Sequence, residues 1–258
     1  MAGLLILIVG QLPTGLILLN LQLAPNIPLF LPVVVIWLWL LWKYLDGWGR
    51  PNSTAQVRKD NLRAHKLSAK VWFWSILSGG IGLASVLGFV FVISHYAKLP
   101  SEAYKAPFDF TSFPWWVVVS FFVSIAITAG VVEEAAFRGY MLSQIQTRYG
   151  WLFSILISAV MFYVVHLSQA YATIAFLPFF LTYSFLQGYL VYLTRSILPS
   201  VILHTAGDVT ILPMQYGVLK NIGEVPFVHN GWMSLLLAMI AVPLFYYLSK
   251  ITQAEGLR

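Results

Sequence analysis

Six polar side chains interrupt long apolar stretches of this chain: Glu133, Glu134, Arg138, His166, His204 and Asp208. A carboxylate at membrane depth costs roughly 2.5–3.5 kcal/mol on insertion scales. A sequence that keeps two of them together with a guanidinium, in Val-Val-Glu-Glu-Ala-Ala-Phe-Arg-Gly, has a use for them. Three carboxylates, two imidazoles and one guanidinium form an inventory suited to acid–base chemistry. Helical spacing sorts them. Glu134 and Arg138 are four residues apart and face each other, which reads first as a buried ion pair that supports its helix. Glu133 is rotated ~100° from Glu134. It therefore lacks a local partner and is the better general base; its alternative role is a hydrogen-bonded structural glutamate. Phe162 and His166 are also four apart, which sets an aromatic ring against an imidazole. His204 and Asp208 share that spacing, so Asp208 can fix the tautomer and orientation of His204. Either histidine alone would be read as a satisfied interior residue; with Glu133 the balance moves towards function.

The elements that carry these residues follow from composition. The chain has 258 residues, 59% hydrophobic and 9% charged, far from a soluble domain. Apolar runs long enough to cross ~30 Å of hydrocarbon predict an all-α polytopic membrane protein of about eight transmembrane helices. The expected spans are Leu4–Leu23, Pro28–Leu45, Val71–Ile93, Pro114–Leu142, Trp151–Leu167, Thr173–Leu193, Ile197–Met214 and Trp232–Leu248. The first is interrupted by Pro13 and Gly15, as a kinked span or a re-entrant arm. No basic region precedes it, so it reads as a retained span rather than a signal peptide. The absence of cysteine excludes disulfides, thiolate metal sites and S-palmitoylation. There is no internal repeat, and 1–258 reads as one integral membrane domain with the motif-bearing spans in 114–214.

The net charge of +6 points to basic loops against anionic headgroups, not to nucleic acid. If every span crosses, Lys43, Arg50, Arg58, Lys59, Arg63, Lys66, Lys70, Arg148, Arg195, Lys250 and Arg258 share one side. Only Lys98, Lys105 and Lys220 fall on the other. The positive-inside rule then puts both termini in the cytoplasm. Residues 46–70 read as a basic cytoplasmic loop with an interfacial helix from about Ala55, capped by Ser53 or Thr54; a topology anchor is favoured over a docking element. Gly80, Ala84 and Gly88 recur every four residues and predict close helix–helix contact. Depth gives a further expectation. Counted from a turn at Gly150, Glu133 and His166 come out level, ~25 Å from the tip at 1.5 Å per residue. Part of that hairpin is polar, which leaves the pair ~15 Å inside the membrane, and His204 comes out ~12 Å from the same side.

Glu-Glu-x-x-x-Arg at 133–138, Phe-x-x-x-His at 162–166 and His-x-x-x-Asp at 204–208 resemble the three motifs of the CAAX-protease and bacteriocin-processing family, which includes the type II CAAX prenyl endopeptidases. The resemblance covers the eight-span architecture and residues 133–208; the N-terminal third is similar only in being hydrophobic. It implies an intramembrane endopeptidase with a glutamate-activated water. On that likeness Glu133 is the base, His166 helps hold the water, Glu134 with Arg138 supports the site, and His204 with residue 208 stabilises the oxyanion. The CAAX-cleaving members resemble an Asn at that last position. Asp208 departs from this, because an ionised carboxylate cannot donate to an oxyanion. The departure bears on prenylated substrates more than on proteolysis.

Peptide hydrolysis needs a base, oxyanion donors and a proton for the leaving amine. No Gly-x-Ser-x-Gly elbow, cysteine or His-Glu-x-x-His helix is present, so serine, thiol and gluzincin chemistry have no support. The reading needs no cofactor; a Zn²⁺ site from Glu133, His166 and His204 is the second choice. The partners expected are membrane lipids and a membrane-associated peptide or lipidated protein substrate. A non-catalytic immunity or scaffold protein of the same family, and a proton-coupled transporter, are the competing classes.

Overall fold

The computed structural model describes residues 2–97, 108–216, 218 and 231–257. Lys98, Lys105, Lys220, Arg258 and His229 lie outside the described residues. Among the described residues every regular element is helical. The helices are α1 (Ala2–Gly10), α2 (Leu12–Leu23), α3 (Phe30–Leu45), α4 (Ala55–Leu62), α5 (Ala69–Tyr96), α6 (Trp115–Glu133), α7 (Leu142–Tyr149), α8 (Trp151–His166), α9 (Leu177–Thr194), α10 (Leu198–Gln215) and α11 (Trp232–Ala254). Between α6 and α7 the chain continues as a π-helix over Glu134–Met141.

Among the described residues five helical stretches are long and apolar enough to cross a membrane: Ala2–Leu23, Ala69–Tyr96, Trp115–Tyr149, Ile174–Thr194 and Trp232–Ala254. The chain is an integral membrane protein. The count of about eight is not reached on that criterion. Helices α3 and α8 are apolar but only 16 residues each, short of the ~20 that span the hydrocarbon without thinning it. Helix α10 carries His204 and Asp208 on its 18 residues. The break in the first stretch falls at Gln11, two residues before Pro13, which opens α2 where its missing N–H costs nothing.

Side by side, α6 and α10 form the heart of the fold. Helices α8 and α9 pack as a pair, α5 packs on α9, α10 and α11, and α1 lies against the π-helix. Small residues set the closest approaches. A Cβ on Gly130 would lie 3.1 Å from the Val201 carbonyl oxygen, so α6 and α10 can touch backbone to backbone only because residue 130 is glycine. On α5 the close face differs from the one expected. Gly79 and Gly82, with buried Ser75 and Ser78, meet Leu203, Leu190, Leu186 and Phe245. Ala84 is exposed, and of the anticipated stripe Gly88 meets Ser234 closely while Gly80 is looser. Spacing alone does not say which face a neighbour covers.

Helix α4 begins at Ala55 as expected, but no side chain caps it. Thr54 Oγ1 is turned to the Pro51 carbonyl and accepts from Arg58 instead. Arg58 is buried and donates to the carbonyls of Tyr44, Trp48, Gly49 and Pro51, so this cation ties the loop together rather than facing a headgroup. The far end of α4 sits on the π-helix: a Cβ on Gly139 would lie 3.0 Å from the Asn61 carbonyl oxygen and 3.2 Å from that of Leu62. Asn61 Oδ1 also accepts from Ser143 Oγ (3.0 Å) and Gln144 Nε2 (2.8 Å). Arg63 donates to Gln146 Oε1 at 2.9 Å, and burial, with Arg195 second, pulls its pKa down to about 10. Gly139→Val should push α4 off this seat. The expected loss is about 1–3 kcal/mol, the usual range for overpacking, read as a lower unfolding midpoint in detergent, with Gly139→Ala in between. An unchanged midpoint for the valine variant would mean that α4 does not bear on the π-helix.

Candidate active site

The π-helix begins at the second glutamate. Its wider i→i+5 turn is uncommon and concentrates at functional sites. Seven of its eight residues, Glu134 to Tyr140, are buried, because α1, α4, α8 and α10 all press on it. Gly3 of α1 meets the Ala136 carbonyl, and Ser158 of α8 donates to the Phe137 carbonyl at 3.3 Å.

All six polar residues come together across α6, the π-helix, α8 and α10. Glu134 is completely enclosed and fully engaged. Its Oε1 accepts from Arg138 Nη1 at 2.9 Å and from His204 Nδ1 at 2.8 Å; Ser200 Oγ donates to its Oε2. Arg138 also lies over the Phe162 ring, 4.6 Å from its centroid, and the same ring stands 4.6 Å from that of His166. Phe162 thus separates the guanidinium from the imidazole and covers both.

Glu133 points elsewhere. Its Oε2 is 3.8 Å from His166 Nε2 and 3.8 Å from His204 Nε2, beyond direct hydrogen-bond reach and close enough for one water to bridge. The side chain is 13% exposed, that of His166 17% and that of Asp208 23%, against 0% for Glu134 and 4% for His204. The cluster therefore has an accessible half (Glu133, His166, Asp208) and a sealed half (Glu134, Arg138, and His204 at the boundary).

The tautomers follow from acceptors. His166 Nδ1 is 2.7 Å from the Phe162 carbonyl, which only accepts, so Nδ1 carries a proton and Nε2 faces Glu133. In His204 the Nδ1 proton goes to Glu134. Asp208 does stand beside His204, 3.6 Å from its Nε2, within ion-pair reach and beyond a hydrogen bond, while Glu134 takes the Nδ1–H and fixes the ring. The i, i+4 rule finds neighbours on one helix, but the carboxylate that reached Nδ1 came from another. For His204 to donate from Nε2 its ring must hold both protons, and Glu134, Asp208 and Glu133 supply the counter-charge.

Three residues at the site were not singled out from sequence: Ser200, Gln187 and Tyr183. Ser200 is four residues before His204 and so shares its face of α10, a signal the sequence did carry. Gln187 is the sole amide of α9. Nothing in the order of residues shows that it reaches Ser200 Oγ, at 3.0 Å.

Residues 112–210 match the family model described as type II CAAX prenyl endopeptidase Rce1-like. Over that segment the chain resembles the CAAX-protease family. The matched segment contains Glu133, Glu134, Arg138, Phe162, His166, His204 and Asp208. It leaves out α1–α5 and α11, although α1 and α4 form part of the wall behind the π-helix. No curated protein and no solved structure matches the chain. The matched family is one of proteases, which supports a protease with a peptide or protein substrate.

The metal alternative would draw on Glu133, His166 and His204. Among the described residues no three His, Cys, Asp or Glu side chains are placed to hold a metal ion. The donors that do converge, Glu133 Oε2 and the two Nε2 atoms, stand 3.8 Å apart in each carboxylate–imidazole pair. A tetrahedral Zn²⁺ with bonds of about 2.0–2.1 Å draws such ligands closer than that.

Proposed function

We propose that the protein hydrolyses a peptide bond within the membrane with a water activated by Glu133. The observation that carries this is the division of labour between adjacent glutamates. Glu134 is consumed by Arg138, His204 and Ser200, while Glu133 is accessible and level with two imidazoles. In the reaction a water bound between Glu133 and His166 gives a proton to Glu133 as its oxygen attacks the carbonyl carbon. His204, doubly protonated, donates from Nε2 to the developing oxyanion. Glu133 then returns its proton to the leaving amine. Glu134 and Arg138 hold His204 in place. Asp208 sits beside Nε2 of His204 and acts through that ring as a carboxylate.

The substrate is a membrane-associated peptide or lipidated protein. The proposed architecture is one integral domain of eight crossings with both termini in the cytoplasm, in which α3, α8 and α10 cross a locally thin bilayer. In that arrangement residues 46–70 lie on the cytoplasmic face, and 114–214 carry the chemistry.

The test compares new protein termini in membranes that carry the wild-type chain or Glu133→Ala at equal expression, with and without a metal chelator. Termini that form only with wild type, and persist with the chelator, are expected. Equal termini in both membranes would reject the assignment of Glu133, and loss of cleavage with the chelator would reject the metal-free mechanism.

A further inference from the structure

Ser200 has one hydroxyl proton and two acceptor oxygens beside it, Glu134 Oε2 and Gln187 Oε1, the latter at 3.0 Å. It can donate to only one. All three side chains are fully enclosed, so water does not relieve the conflict. Two arrangements give the Ser200 hydroxyl both a donor and an acceptor. In one, Glu134 is protonated and donates to Ser200. This strips Arg138 of its counter-charge, and its Nε and Nη2 already lack partners; an unpaired buried guanidinium costs several kcal/mol. In the other, the Gln187 amide is turned over. Its NH₂ donates to Ser200 Oγ, Ser200 donates to Glu134, and the amide oxygen accepts from Tyr183 OH, which lies 3.4 Å from the Gln187 amide. Amide nitrogen and oxygen are interchangeable in shape, so counting donors decides between them.

We infer that Gln187 is a positioning residue for the reaction proposed above: its amide donates to Ser200, aims the single Ser200 proton at Glu134, and so locks the Nδ1–H of His204. The chain runs in one direction, Tyr183 to Gln187 to Ser200 to Glu134, and crosses from α9 to α10 to the π-helix. The charged groups that face Glu134 are Arg138 on its own helix and His204 on α10, with Glu133 next to it in sequence. The acceptor Oε1 is taken up by Arg138 and His204, so Oε2 depends on Ser200. Without the amide donor the hydroxyl is free to turn, Oε2 is left unsatisfied, and the carboxylate no longer holds one orientation. The inference rests on the proposed role of the site, but its first readout does not.

Full-length protein with ¹⁵N-labelled histidine is compared in lipid nanodiscs as wild type, Gln187→Met, Ser200→Ala and the double variant. Wild type should show His204 with a single hydrogen-bonded Nδ1–H. Both single variants should broaden or split that signal, and the double variant should look like Ser200→Ala. On the peptide identified by the termini comparison, each single variant should lose about tenfold in kcat, the scale of one buried bond to a charged acceptor, with KM within about twofold. The double variant should lose no more than Ser200→Ala, because the amide acts only through the hydroxyl. If Gln187→Met does not fold, Gln187→Leu takes its place. An unchanged His204 signal in the glutamine variant, or a double-variant loss equal to the product of the singles, would overturn the inference. A changed signal with no cleavage by wild type would reject the protease reading and leave the relay standing.

Discussion

Glu133→Gln should lower the rate of peptide cleavage by about 10²–10⁴-fold, the contribution of a positioned general base, while the protein unfolds at the wild-type midpoint. The substitution keeps the size of the side chain and its ability to hydrogen-bond a water, and removes only the ability to take the proton. Stability should change little because the carboxylate is 3.8 Å from each imidazole, with no hydrogen bond there to lose, and Glu134 and Asp208 remain as counter-charge for His204. Glu133→Asp keeps the charge but pulls it back by one methylene, and should retain part of the activity. The measurement is single-turnover cleavage by purified protein in nanodiscs, with a melting curve for each variant. Turnover by Glu133→Gln within a few-fold of wild type would move the base to another residue, and Asp208 would be the next accessible carboxylate.

Glu134→Gln should behave in the opposite way, with loss of fold first and of activity as a consequence. Arg138 is enclosed on all sides, its Nη1 bonded to Glu134 and its remaining nitrogens left to the face of Phe162. Removing one partner of such a pair typically costs 3–5 kcal/mol, about 3–5 here as well, because the other charge stays buried and unpaired. Replacing both, as Glu134→Leu with Arg138→Met, should recover much of that stability, since an apolar pair needs no counter-ion. It should not recover activity, because Ser200 and His204 would still lack their acceptor. Denaturant melts of wild type and the two variants check the order: single glutamate variant lowest, double variant between it and wild type. A single variant as stable as wild type would mean that another anion serves Arg138.

Adjacent residues therefore have opposite expected phenotypes, and the reason is partly visible in the sequence. The ~100° step per residue separates Glu133 from Glu134, and the four-residue step pairs Glu134 with Arg138. The same counting from Gly150 put Glu133 level with His166, and the structure places their side chains 3.8 Å apart. Hydrophobic runs located α3, α5 and α8–α10 to within about four residues at either end, and α6 and α11 at their starts only, because a bilayer demands apolar length and helices satisfy their own backbone.

What order along the chain determined, then, was the inventory, the helices and the pairs within one helix, since those depend on spacing of 1.5 Å and 100° per residue alone. Tertiary structure decided the partners between helices. It gave the Nδ1–H of His204 to Glu134, beside the Asp208 that spacing had paired with it, and brought Gln187 of α9 to Ser200 of α10. It also turned Arg58 inward and set Gly79 and Gly82, not Ala84, against a neighbour. It widened the helix at Glu134 into a π-turn where α1, α4, α8 and α10 converge. Each of these depends on which helix faces which, and that is settled by close packing of the whole bundle, where a single glycine decides how near two backbones can come.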